Sequence, residues 1–224
     1  MMNLEQARFN MVAQQVRCWD VIDQAVLDVL HALPREVFVP ERFRQLAYAD
    51  MQLPLGHDQV MLPPVLEGRL LQAMQLQADD RVLEIGTGSG YLTACIAALA
   101  GSVLSVDIFP EFIDQAHKNL SAISYREQIL NERIELRQAD VFADFDPGER
   151  FSAVVVTGAV EQVPGHFVDW LADAARMFII VGTSPNMQAQ LLSRRGGGAV
   201  ISEGLLETDV PLLVRDRPAK PFQF

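Results

Sequence analysis

The sequence predicts an α/β protein: a doubly wound, mostly parallel sheet with an N-terminal helical cap and a C-terminal antiparallel hairpin. Three observations carry this. From Arg81 onward, short apolar runs alternate with helical stretches, as βαβ units require. Two runs, VVV at 154–156 and FIIV at 178–181, are continuous, as in strands covered on both faces. The chain before Arg81 instead repeats its apolar residues at helical spacing, and a triple glycine at 196–198 separates two strand-like segments near the end.

The elements follow in order. In VIDQAVLDVLHALP, Ile22, Val26, Val29, Leu30 and Leu33 recur on one helical face until Pro34 stops the run. FVPERF makes a short turn, and LPLGHDQVMLPP reads as a loop. Pro63 and Pro64 suit the first turn of a helix, PVLEGRLLQAM, whose face is marked by Leu66, Leu70 and Ala73. RVLEIG is then a strand, YLTACIAALA a helix and SVLSVD a strand. PEFIDQAHKNLSAI is a helix buried through Ile113, Ala116, Leu120 and Ile123. RIELRQAD, FSAVVVTGA and ARMFIIVG are further strands, with HFVDWLAD helical before the last. MQAQLLSRR and AVISEGLLET form the hairpin, and RDRPAKPFQF is an irregular end. One domain is expected over 1–224: cap and loop at 1–78, core at 79–185, hairpin and tail at 186–224.

Composition narrows the function. A formal net charge of −11 argues against nucleic acid, whose phosphates want clustered Lys and Arg. The tight basic pair Arg194-Arg195 sits at the expected hairpin tip. No apolar run reaches the roughly 18 residues of a membrane span, and the polar start MMNLEQARFN lacks a signal core, so a cytoplasmic protein is expected. Cys18 and Cys95 are expected as reduced thiols packed like small apolar side chains. No cluster has metal-ligand spacing, and no G-x-S-x-G is present.

VLEIGTGSGY carries the strongest local signal. Gly86, Gly88 and Gly90 fall between a strand and a helix, where the backbone turns sharply and a ligand comes close. A dinucleotide loop would need glycine at 91, where Tyr91 stands, so a dehydrogenase is disfavoured. The spacing G-x-G-x-G resembles the motif of class I methyltransferases that use S-adenosyl-L-methionine. Asp107 ends the next strand, where a carboxylate can accept from both ribose hydroxyls, or cap the helix that follows. Asp140, just past a strand end, could take a bond from an adenine amino group. Glu84 is expected to be buried against the backbone of the glycine loop. His31, His117 and His166 read as surface or capping residues.

Over about residues 10–185 the chain resembles the protein-L-isoaspartate O-methyltransferase family, a Rossmann-like methyltransferase fold. The resemblance runs through MVAQQVRCWDVIDQAVLDVLHALPREVFVPERFRQLAYADMQLPLG, with its FVP and AY-x-D hallmarks, through RVLEIGTGSGY, and through FSAVVVTGAVEQVP. It implies S-adenosyl-L-methionine as cofactor, held by Gly86, Thr87, Gly88, Ser89, Gly90, Asp107, Asp140 and Val141. It also implies carboxyl methylation of isoaspartyl residues, so that a protein or peptide carboxylate is the acceptor, with no nucleic acid or membrane partner. One segment departs from the pattern. Where the family reads G-Q-T-I-S-Q-P, this chain keeps Gln59 and Pro64 but has Val60 for the threonine and Leu62 for the serine usually treated as the active-site residue. The expected acceptor loop therefore comprises His57, Gln59, Val60 and Leu62, with His57 a candidate base for a hydroxyl or amine acceptor. Two alternatives follow: a different acceptor such as a small molecule, or a cofactor-binding protein that has lost catalysis.

Overall fold

In the computed structural model, which describes residues 3–123, 125, 130–143, 145–196 and 198–215, seven strands form one sheet. The helical cap comes first. α1 (Leu4–Asn10) starts at Asn3, whose side chain accepts from the Gln6 N–H, and runs on through a π-helical turn to Val16. α2 (Gln24–Ala32) starts later than the apolar pattern suggested, because Asp23 caps it through the N–H groups of Ala25 and Val26. Ile22 consequently lies before the helix and is 77 % exposed, while Val26, Val29, Leu30 and Leu33 are buried as expected.

The expected loop at 53–64 is instead a small hairpin followed by a helix start. β1 (Leu53–Gly56) and β2 (Gln59–Met61) pair antiparallel around His57 and Asp58, both at positive φ, the geometry of a two-residue type I′ turn. α3 (Pro64–Met74) begins at the two prolines and is buried on more faces than its apolar stripe implied, Glu67 and Gly68 included. Ala73 is only half-buried, and Met74 takes its place in the core.

The remaining strands are β3 (Arg81–Ile85), β4 (Ser102–Asp107), β5 (Ile134–Gln138), β6 (Phe151–Val160), β7 (Leu171–Thr183), β8 (Asn186–Arg194) and β9 (Val200–Thr208). Their order is β5-β4-β3-β6-β7-β8-β9; the first five run parallel, β8 pairs antiparallel with β7, and β9 antiparallel with β8. The expected hairpin is β8–β9, and its partner β7 makes the antiparallel part three strands wide. β7 also begins earlier than expected. The helix α6 (Gly165–Asp169) stops short of Leu171, which pairs with Phe151 across a bulge and is fully buried. The irregular end at 216–224 lies outside the described residues.

α4 (Tyr91–Leu99) and α5 (Pro110–Ser121) complete the crossovers. Two apolar clusters cover the two faces of the sheet. One joins the helical cap, α3 and α4; the other gathers Val154, Val156, Phe167, Trp170 and Ile179. The strand order reverses between β3 and β6, so the carboxyl end of β3 opens into the crevice where open α/β sheets bind ligands. Cys95 is buried as expected, but Cys18 is exposed. No helix of the described residues is long and apolar enough to cross a membrane, and no group of three or more His, Cys, Asp and Glu could hold a metal there.

Candidate active site

The turn after β3 is shaped by what leaves no room for a side chain. Gly86 has φ +97, and a Cβ there would overlap the Thr157 hydroxyl of β6. That hydroxyl lies 3.0 and 2.8 Å from the carbonyls of Ile85 and Gly86, so it pins the turn to the neighbouring strand. Gly90, the N-cap of α4 at φ +82, packs its backbone against Ala116 of α5. Beneath the turn, Glu84 is fully buried. It accepts from the hydroxyls of Thr93 and Ser105, both at 2.5 Å, and not from the loop backbone as expected. Burial pushes its pKa up to about 8 despite those two donors. Thr87 completes the network at 2.7 Å from Ser105.

Asp107 closes the other side. Its carboxylate accepts from the Gly88 N–H at 2.9 Å and from the Phe109 N–H at 3.0 Å. It therefore braces the glycine turn and starts α5 at once, and a carboxylate with about four acceptor sites keeps capacity for a ligand. Burial raises its pKa, partly offset by these backbone donors. Asp140 accepts from the Phe142 N–H at 2.8 Å.

A cleft lies over these strand ends. Of the predicted cofactor residues, Gly86, Thr87, Gly88, Ser89, Asp107 and Val141 line it. Gly90 and Asp140 do not: Gly90 stands behind the wall, and Asp140 is flanked by the lining residues Ala139 and Val141. Of the acceptor residues, Gln59, Val60 and Leu62 line it together with Met61. His57 does not line it. Its ring stacks on Phe109 at 4.0 Å, packs edge-on against Phe112, and faces Glu111 at 3.7 Å, in an adjoining cavity that shares Leu55, Gly88, Ser89 and Phe112 with the first.

The structure also adds residues that local reading missed. Ile108 and Phe109 line the cavity beside Asp107, and Thr157 and Gly158 line it from β6. The segment Val210–Val214 forms a strap across it, tied to β6 by two 2.8–2.9 Å bonds between Ala159 and the backbone of Pro211 and Leu213. Arg35 is wholly buried under the roof. It donates to the carbonyls of Ala47 at 2.8 Å and Leu62 at 2.6 Å, pairs with Glu67, and lies over the Tyr91 ring. An acid 32 residues from its cation leaves no pattern in the sequence; only the apolar helix around Glu67 hinted that this charge needed a buried partner.

Comparison with known proteins agrees with this geometry. The profile of the Protein-L-isoaspartate(D-aspartate) O-methyltransferase (PCMT) family matches residues 7–215. A Protein-L-isoaspartate O-methyltransferase of Gloeobacter violaceus is 33% identical over 208 residues, 93% of this chain and 98% of the relative. One from Opitutus terrae is 37% identical over 198 residues, covering 86% and 82%. Among solved structures, a Plasmodium falciparum chain described as a beta-aspartate methyltransferase in complex with S-adenosyl-L-homocysteine superposes with a TM-score of 0.79 at 16% identity, over 96% of this chain and 100% of that one. The chain belongs to the protein-L-isoaspartate(D-aspartate) O-methyltransferase family.

Proposed function

We propose that the chain is an S-adenosylmethionine-dependent methyltransferase that esterifies a carboxylate, with the L-isoaspartyl residue of a damaged protein as acceptor. The observation that carries this reading is a cavity at the strand ends. It joins a glycine turn without room for a Cβ and a buried Asp107 to an apolar roof, in a chain that matches 98% of a relative named for this reaction.

The residues present suit such a cofactor. Asp107 would accept from the ribose hydroxyls, Ile108 and Val141 would wall the adenine, and Gly86 to Ser89 would pass beneath the amino acid portion. When bound, S-adenosylmethionine supplies a methyl group already activated by its sulfonium. An acceptor carboxylate at neutral pH is already a nucleophile, so the chain need not supply a base. Among the described residues the lining holds no His, Lys or Arg, which suits that chemistry. The work left to the protein is alignment of the reacting atoms to about 3–3.5 Å and exclusion of water. The hairpin β1–β2 and the strap Val210–Val214 would do both.

Methyl transfer from labelled S-adenosylmethionine to an isoaspartyl peptide tests the reading. Incorporation above an aspartyl control is expected, and none would overturn isoaspartyl specificity. A second acceptor, such as a small-molecule carboxylic acid, is favoured by one observation: Val60, Met61 and Leu62 present an apolar surface to the cavity. An acceptor panel in which only isoaspartyl peptides are labelled would remove it.

A further inference from the structure

Two carboxylates line the cavity, and the described residues supply no cation to it. Asp107 ends β4, whereas Glu67 stands on α3, which packs over β7; β3 and β6 lie between them. Glu67 is 2 % exposed, and its Oε2 is taken by Arg35. Its Oε1 has no hydrogen-bond partner among the described residues. Unlike Glu84 Oε1, it is not sealed from the surroundings, and it belongs to a residue of the cavity wall. The charge of Glu67 is felt by Glu84, Tyr91 and Cys95, which places it beside the glycine turn and the first turns of α4.

A buried carboxylate oxygen left without a donor is costly, and it is satisfied by a ligand that brings one. A ligand with an ammonium group at the end away from Asp107 would bring such a donor as a charge-assisted hydrogen bond. An adenosyl sulfonium amino acid fits. Its ribose would sit by Asp107 and its α-ammonium at the other end.

We propose that Glu67 is a cofactor-positioning residue whose Oε1 accepts a hydrogen bond from the α-ammonium of the methionine moiety, so that Asp107 and Glu67 grip the two ends of one molecule. The proposal rests on the S-adenosylmethionine reading given above. Burial pushes the Glu67 pKa up to about 7 against the pull of Arg35, and an ammonium partner would return the group to its ionised form.

Calorimetry on the full chain tests it with two ligands: S-adenosylhomocysteine and its deamino analogue, which lacks only the ammonium. The wild type should bind the analogue at least tenfold more weakly. Glu67→Gln keeps an oxygen for Arg35 but presents no charge; it should bind S-adenosylhomocysteine about tenfold more weakly and treat the two ligands alike. Equal binding of both by the wild type, or undiminished discrimination by Glu67→Gln, overturns the proposal. Wild-type protein that binds neither ligand overturns the cofactor reading as well. Should the variant not fold, a crystal structure of the wild type with S-adenosylhomocysteine decides: the amino nitrogen within about 3.2 Å of Glu67 Oε1 supports the pairing, and a separation beyond about 4 Å ends it.

Discussion

Restoring hydroxyls to the roof separates a slowed isoaspartyl enzyme from one adapted to another acceptor. The perturbation is Leu62→Ser combined with Val60→Thr. Leu62 is 6 % exposed and packs in the cluster that joins the cap to the sheet. Truncating a buried leucine costs about 2–5 kcal/mol, and the low end applies here because one side of Leu62 already faces the cavity. Val60 is half-buried, and the hydroxyl that threonine adds costs about 1 kcal/mol where it loses water. A loss of about 2–3 kcal/mol in a chain of this size lowers Tm by roughly 4–12 °C. The roof backbone should nonetheless stay in place, because Arg35 holds the Leu62 carbonyl and not its side chain. One hydroxyl that orients the acceptor is worth about 1–3 kcal/mol in the transition state, or ten- to a hundredfold in kcat/KM. The assay is the initial rate of labelled methyl transfer to an isoaspartyl peptide, with urea unfolding run in parallel. The double variant should be less stable yet faster on that peptide. A variant that loses the expected stability and gains no rate would show that the missing hydroxyls do not limit the reaction.

Two further outcomes follow from the turn and the network below it. Gly86→Ala should abolish measurable binding of S-adenosylhomocysteine and cost about 1–3 kcal/mol, because the position combines φ +97 with a Cβ that meets Thr157. Gly148→Ala, also at positive φ but with nothing within 4 Å of a Cβ, serves as the control that keeps binding; equal effects at both positions would refute the steric argument. Stability should fall as pH rises. Glu84 titrates at about 8 when folded and near 4.5 when unfolded, so the native state holds the extra proton and loses stability as pH climbs between those values, by up to about 1.4 kcal/mol per pH unit. Glu67 adds a decline of the same sign up to its own pKa of about 7. Urea midpoints from pH 5 to 8 should show the decline, and Glu84→Gln should remove about one proton of its slope; an unchanged slope would mean that Glu84 is ionised throughout.

What the sequence made legible was the part governed by local pattern. RVLEI, SVLSV and VVV are apolar enough to be buried on both faces, and they are β3, β4 and β6, neighbours in the sheet with β3 in the middle. Gly86 directly follows β3 and Asp107 ends β4, so a single reversal of strand order brings them to one crevice. The hairpin β1–β2 was illegible because its turn uses His57 and Asp58 at positive φ without the glycine or asparagine that marks such turns. The start of β7 was hidden because Leu171 is apolar in either a helix or a strand, and only its pairing with Phe151 decides. His57 drew attention through its residue type, and nothing local to it in the sequence announced that its ring stacks on Phe109.

The least legible element is also the one that makes the site a single object. Arg35 and Ala47 come from the cap, Leu62 from the roof and Glu67 from the wall, and the Arg35 guanidinium bonds to the other three. A fully buried arginine would be costly if any of its partners were missing, so the cap cannot move away without stranding a charge. The same pairing fixes which oxygen of Glu67 is spent on structure and which is left for the cavity. The helical cap is therefore not a cover added to a complete methyltransferase core. It supplies the cation that lets an acid stand in the wall of the site, where an acid alone would take up a proton.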